Sequence, residues 1–156
     1  MSGRRLAWVL LPLLLLATFG QVRRAVRAWQ ANQLLAAVEH DSKLAAATLG
    51  EPAAARMRRE LVRRNLLRLR IVGEIDRVNV LVPLLAGGQH MLLGDPQAAL
   101  GAYRRALRIE PRGEVYFNLA RALQAAGETA QAQEAQRIAL SLDPTLHRRS
   151  PPGTGP

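Results

Sequence analysis

Hydrophobic and polar positions change period along the chain, and those changes mark out its elements. Leu6 to Phe19 is apolar on every side, behind a short basic start that holds Arg4 and Arg5. From Gln21 to Thr48 neither proline nor glycine intervenes. The composition predicts one long helix there, with Val22, Val26 and Trp29 on one side. Leu49-Gly50 ends that helix, and Glu51-Pro52 opens the next with proline in its first turn. Over Pro52 to Val72 a 3.6-residue period gathers Ala54, Met57, Leu61, Leu69 and Val72 on one face, and Arg56, Arg59, Arg63 and Arg70 on the other. Val78 to Leu93 is again apolar, interrupted by Asn79, Gln89 and His90.

The second half repeats itself. Leu93-Gly-Asp-Pro-Gln-Ala-Ala-Leu-Gly-Ala-Tyr-Arg-Arg-Ala-Leu-Arg-Ile-Glu-Pro111 returns in looser form as Ala126 to Pro144. Gly94 falls on Gly127, Asp95 on Glu128, Ala99 on Ala132, Ala106 on Ala139, Leu107 on Leu140 and Pro111 on Pro144, each pair 33 residues apart. A fixed period of this length predicts stacked helical hairpins. Leu49-Gly-Glu-Pro-Ala-Ala-Ala55 echoes Leu93-Gly-Asp-Pro-Gln-Ala-Ala99 at an offset of 44 and marks a degenerate third unit. Such a unit is wanted physically, because two hairpins rarely bury enough surface to stand alone.

These residues resemble the tetratricopeptide repeat (TPR) family over about Val80 to Pro144. The small residues Ala99, Ala106, Ala132 and Ala139, the closing Pro111 and Pro144, and the stretch Val115 to Gly127 carry the likeness, with Gly87 as the small residue of the first unit. Pro83 and Gly88 in the first unit's leading helix depart from the pattern, as does Gln136 where the first unit has Tyr103. The resemblance implies an α-solenoid whose inner groove takes a protein partner. Its groove candidates are His90, Tyr116, Asn118 and Arg121. One subclass grips C-terminal carboxylates with groove asparagines and basic residues. Asn118 matches such an asparagine and Arg121 lies one turn on, but Leu85 stands at the equivalent place in the first unit, which leaves a polar groove for a different ligand.

The N-terminal segment, residues 1–21, reads as a membrane anchor or as a cleaved signal peptide. Fourteen residues rise only about 21 Å against a hydrocarbon core of about 30 Å, and Arg5 and Arg23 would have to snorkel to the interfaces. No A-x-A site precedes the arginines, and the helical composition continues past the run, so the anchor is the preferred reading. A short basic tail ahead of one apolar run places the repeats in the periplasm of a bacterial inner-membrane protein. Arg23, Arg24 and Arg27 nearly balance that count.

Charge adds one fact to this picture. The net charge is +10, yet residues 73–156 hold nine basic and eight acidic groups, so the excess belongs to residues 22–72, with eleven basic and four acidic. That region is a basic stalk next to the apolar run. Arg56, Arg59 and Arg63 are its candidates for an anionic lipid surface. Nucleic acid is disfavoured, because no aromatic side chains interleave with the arginines for base stacking.

Catalytic parts are missing. The chain has no cysteine, no H-E-x-x-H, no glycine-rich phosphate loop and no nucleophile elbow. Glu39-His40-Asp41 would point in three directions on a helix. No cofactor or metal is expected. The sequence therefore predicts an all-α protein with an N-terminal transmembrane helix (1–21), a basic helical stalk or degenerate repeat (22–73), two TPR-like hairpins (74–144) and a disordered tail (145–156). The role implied is a non-catalytic membrane scaffold or adaptor for protein partners, themselves membrane proteins. An integral accessory subunit of one large membrane complex and a secreted soluble TPR module are the alternatives.

Overall fold

The computed structural model describes residues 3–149, with side chains for residues 18–146. The described chain is all-helical. Six helices follow one another: α1 (Gly3–Ala47), α2 (Ala55–Ile75), α3 (Leu81–Leu92), α4 (Pro96–Ile109), α5 (Gly113–Ala125) and α6 (Thr129–Leu142). They pack as three hairpins, α1 on α2, α3 on α4 and α5 on α6, and each hairpin packs on the next through α2–α3 and α4–α5. The helix pair expected ahead of the two repeats is therefore present and stacked. Among the described residues the first helices α1, α3 and α5 touch in succession, whereas α2, α4 and α6 do not touch one another. The stack curves toward its first helices.

Each hairpin turns on a glycine in the left-handed region, where other residues are strained: Gly50 at φ 93°, Gly94 at 74° and Gly127 at 83°. In the last two hairpins the closing hydrogen bond is also the same, 33 residues apart. The Asp95 amide donates to the His90 carbonyl at 3.0 Å and the Glu128 amide to the Leu123 carbonyl at 2.9 Å. The first hairpin shares the glycine but not that bond. Instead Arg58 Nη1 reaches back to the Thr48 carbonyl at 2.7 Å, and Pro52–Ala54 forms a short 3-10 turn before α2. The 11 extra residues of this unit fall mostly in α2, which is 21 residues long against 14 for α4. The seven residues by which α2 exceeds α4 make about two full turns, so the lengthened helix keeps its buried face in phase.

The main core joins the two regular hairpins. Val80, Leu84, Ala99, Leu100, Tyr103 and Ala106 pack with Val115, Leu119, Leu123 and Ala132. Gly87 lets α3 approach α4, because a Cβ there would lie 2.3–2.7 Å from the Tyr103 ring. Pro83 sits in the first turn of α3, where it displaces no helical hydrogen bond. Asp95 caps α4, accepting from the Ala98 amide at 3.0 Å ahead of Pro96. The chain beyond Pro144, expected to be unordered from 145, makes a 3-10 turn through Arg149 and buries Leu146 against the last hairpin. The turn covers part of α5 and α6. Residues 150–156 lie outside the described residues.

A second core joins the first hairpin to α3 through Ala31, Leu35, Val38, Leu69 and Val72, with Val82, Leu85 and Ala86 laid against it. On α2 the buried strip is Leu61, Val62, Asn65, Leu69 and Val72. Met57, expected on that face, is exposed, because the strip is centred about a quarter-turn away. Between the two hairpins runs a buried polar chain. Asp41 pairs with Arg64 Nη2 at 2.8 Å and Arg68 Nη1 at 2.6 Å, and Arg68 donates to Asn65 Oδ1 at 3.1 Å. Asn65 Nδ2 donates to Gln89 Oε1 at 3.1 Å, and Gln89 Nε2 donates to Ser42 Oγ at 2.8 Å. The chain thus ties α1, α2 and α3 together.

Tyr103, 2% exposed, carries a pH-dependent contribution. Burial pushes its hydroxyl up to about 12 against the opposing charge of Arg121. The folded value exceeds the unfolded one of about 10. Its contribution is therefore intact below about pH 10 and is lost as pH rises through about 12, up to about 3 kcal/mol. Alkaline titration followed by circular dichroism should show stability falling across that window, and Tyr103→Phe should flatten the fall.

Among the described residues no helix is long and apolar enough to cross a membrane. The backbone of α1 passes without a break through the expected boundary at residue 21. The anchor or signal peptide expected at 1–21 rests on side chains that, but for the last four, lie outside the described residues.

Candidate partner-binding surface

On α5 the buried side chains Val115, Leu119, Ala122 and Leu123 turn toward its neighbours. At about 100° per residue, Glu114, Asn118, Arg121 and Ala125 form the opposite ridge. Because the first helices line the inside of the curve, this ridge faces inward. Glu114, Arg121 and Ala125 are exposed and Asn118 half-buried. Asn118 Nδ2 donates to the Glu114 carbonyl at 3.0 Å, which holds the amide along the helix. Among the described residues Arg121 makes no ion pair.

The four groove candidates do not come together. Asn118 and Arg121 share the inner ridge. Tyr116 lies on the far side of α5, packed against the main core. His90 occupies the place on α3 that Leu123 holds on α5, the packed side, and is half-buried. The inner ridge of α3 consists of Leu81, Leu85, Gly88 and Leu92, all half-exposed, and a Cβ on Gly88 would meet open space. From sequence only Leu85 of these stood out as a groove position, and Gly88 as a departure from the repeat pattern. The signal was available, since subtracting 33 from the ridge of α5 gives each of them. The inner surface is thus apolar on α3 and polar on α5.

The seven arginines of Pro52 to Val72 divide by task. Arg58, Arg64 and Arg68 turn inward to the Thr48 carbonyl and to Asp41. Arg70 lies 3.7 Å from Glu74 in an exposed pair that contributes little. Arg56, Arg59 and Arg63 are exposed, and among the described residues they make no ion pair. Arg59, Arg63 and Arg70 rim a shallow depression of about 450 Å³ floored by Leu66, Leu67 and Leu93. Leu67 and Ile71 are exposed on this basic face beside the arginines.

Of the Glu39-His40-Asp41 triplet, Glu39 and His40 are exposed and Asp41 is buried. Burial would push the Asp41 carboxyl up, but the hydrogen bonds from Arg68 and Arg64 outweigh it and hold the group below the usual carboxylate range. Among the described residues no group of three or more His, Asp or Glu side chains could hold a metal ion.

Comparison with curated proteins gives no match. The profile of the tetratricopeptide repeat family matches residues 113–146, which are α5, α6 and the turn that buries Leu146. A tetratricopeptide repeat is thus detected in the hairpin of α5 and α6, and repeats of this kind generally mediate the binding of protein partners.

Proposed function

We propose that this protein is a non-catalytic scaffold that holds a protein partner along its inner surface while its N-terminal helix attaches it to a membrane. The observation that carries the first half is the inner ridge of α5. Glu114, Asn118 and Arg121 offer polar recognition beside the apolar Leu81, Leu85 and Leu92 of α3, on the concave side of a rigid stack. An extended or helical segment with apolar residues and an acidic group to meet Arg121 fits this surface. The second half rests on the sequence of Leu6 to Phe19, which no folded core of this size needs on the end of a projecting helix. On this reading the membrane is a bacterial inner membrane and the stack lies on its periplasmic side.

A photo-crosslinking residue placed at Gln124, beside the inner ridge, should capture a discrete partner from native membranes. The same residue at Gln133, exposed on α6, should not. Arg121→Glu should reduce the capture at least tenfold without changing the melting temperature, because the side chain is exposed and unpaired. Equal capture from both positions, or capture indifferent to Arg121→Glu, would remove the inner surface from the proposal.

A further inference from the structure

We infer that one stripe of α1 is a lipid-interface element, which lies in the headgroup layer of an anionic bilayer and lays the solenoid flat against the membrane. The inference rests on the membrane attachment proposed above and specifies how the body sits on it.

From Gln21 to Gln30 every residue of α1 is exposed, so the helix has left the body before Ala31. Phe19, Val22, Val26 and Trp29 follow one another at spacings of three, four and three, and each is about half exposed or more, with Trp29 at 62%. At about 100° per residue they fall within an arc of about 80°. The same arc continues through Gln33, Ala36, His40 and Leu44, all exposed. The residues that bury α1 against α2 and α3, Ala31, Leu35, Val38 and Ala45, lie on the other side of the helix. The stripe is thus turned away from the body. A surface laid along it would carry the stack on its back.

Charge and composition select lipid as that surface. No acidic residue precedes Glu39, while Arg23, Arg24 and Arg27 follow the apolar run directly. These arginines sit beside and opposite the stripe, the arrangement of a helix that lies in the plane of an interface with its aromatic residues inserted. Arg23 bends over the Phe19 ring at 5.7 Å, at the edge of the stripe. A second copy of the chain is the competing occupant. Its seam would need apolar heptads sustained over three or four repeats, and here Gln33 and His40 interrupt after Trp29.

Geometry separates a flat helix from an upright one. Were Leu6 to Phe19 upright with Phe19 at the hydrocarbon edge, Trp29 would stand about 15 Å further out. The headgroup layer on one side is only about 5–8 Å deep. An upright α1 leaves Trp29 in water, whereas a flat one seats it among the headgroups.

Trp8→Phe leaves Trp29 as the only tryptophan of the full chain. Reconstituted in vesicles of phosphatidylcholine and phosphatidylglycerol, this chain should show blue-shifted Trp29 emission, quenched by lipids brominated high on the acyl chain and shielded from iodide. Adding Val26→Glu should return Trp29 to iodide while the chain still floats with the vesicles and keeps its helical circular dichroism. A chain that floats but whose Trp29 is open to iodide without that substitution would overturn the flat stripe and leave the attachment standing. A chain that does not float would bring down both. Shielding that rises with the protein-to-lipid ratio, with Val22→Cys crosslinking into dimers, would assign the stripe to a second copy and refute the inference.

Discussion

Gly87→Ala should destabilise the protein by about 1–3 kcal/mol, read as a melting temperature several degrees lower. Two effects oppose each other at this position. Alanine is better than glycine inside a helix by about 1 kcal/mol. Against that, the new methyl would lie 2.3, 2.6 and 2.7 Å from three atoms of the Tyr103 ring, distances no carbon pair tolerates. The ring cannot retreat, because it is enclosed by the core it shares with Leu84, Leu100 and Val115. The neighbouring glycine gives the control. A Cβ on Gly88 meets nothing within 4 Å, so Gly88→Ala carries the propensity gain alone and should raise stability by up to about 1 kcal/mol. A double mutant, Gly87→Ala with Tyr103→Leu, should lose clearly less than the sum of its two single changes, since removing the ring removes the clash. Thermal unfolding of the four proteins checks the whole set, and a Gly87→Ala protein as stable as Gly88→Ala would refute the packing of α3 on α4.

The features that were legible in the sequence are those tied to backbone geometry. Gly94 and Gly127 were readable because a helix that stops and turns back needs a left-handed residue, and Gly50 was readable for the same reason at the wrong offset. Ala99 and Ala132 were readable because close helix approach admits only small side chains. Side-chain direction was harder. His90 and Tyr116 are polar or amphipathic residues on mostly apolar helices, which reads as groove, yet the 33-residue register puts both on packed sides. Gln89 reads as an interruption of an apolar helix and is instead the buried partner of Asn65 at 3.1 Å. A single helix's periodicity marks which face is inward but not that two inward polar groups will meet across three helices. In the arginine run the 3.6-residue period already set Arg56, Arg59 and Arg63 on the outward face, and they are exposed; it could not show that Arg58, Arg64 and Arg68 would tie the first hairpin together.

Asp41→Asn should cost about 1.5–3 kcal/mol, the range for hydrogen bonds to charged groups, and the loss should be confined to the first hairpin. Among the described residues Asp41 is the only acid that Arg64 and Arg68 share, and through Arg68 it holds Asn65, Gln89 and Ser42 in register. The loss stays below that of a fully buried pair because Arg64 is about half exposed and can turn to water. Stability in a stack of repeats is a sum of units and interfaces, so α1 should loosen while α5 and α6 hold. Hydrogen exchange should accelerate at Leu35 to Ala45 and stay unchanged at Val115 to Leu123. Acid should act through the same group. Its folded pKa lies below the unfolded value of about 3.9, so its contribution is present above that value and is lost as pH falls through the lower one. Wild type should loosen α1 below about pH 4, and Asp41→Asn should not add to that step. If the stripe from Phe19 to Trp29 lies on a membrane as proposed, Asp41→Asn should also let the stack swing free of it. Uniform exchange across all three hairpins would show instead that the unit joined by Asp41 does not open by itself.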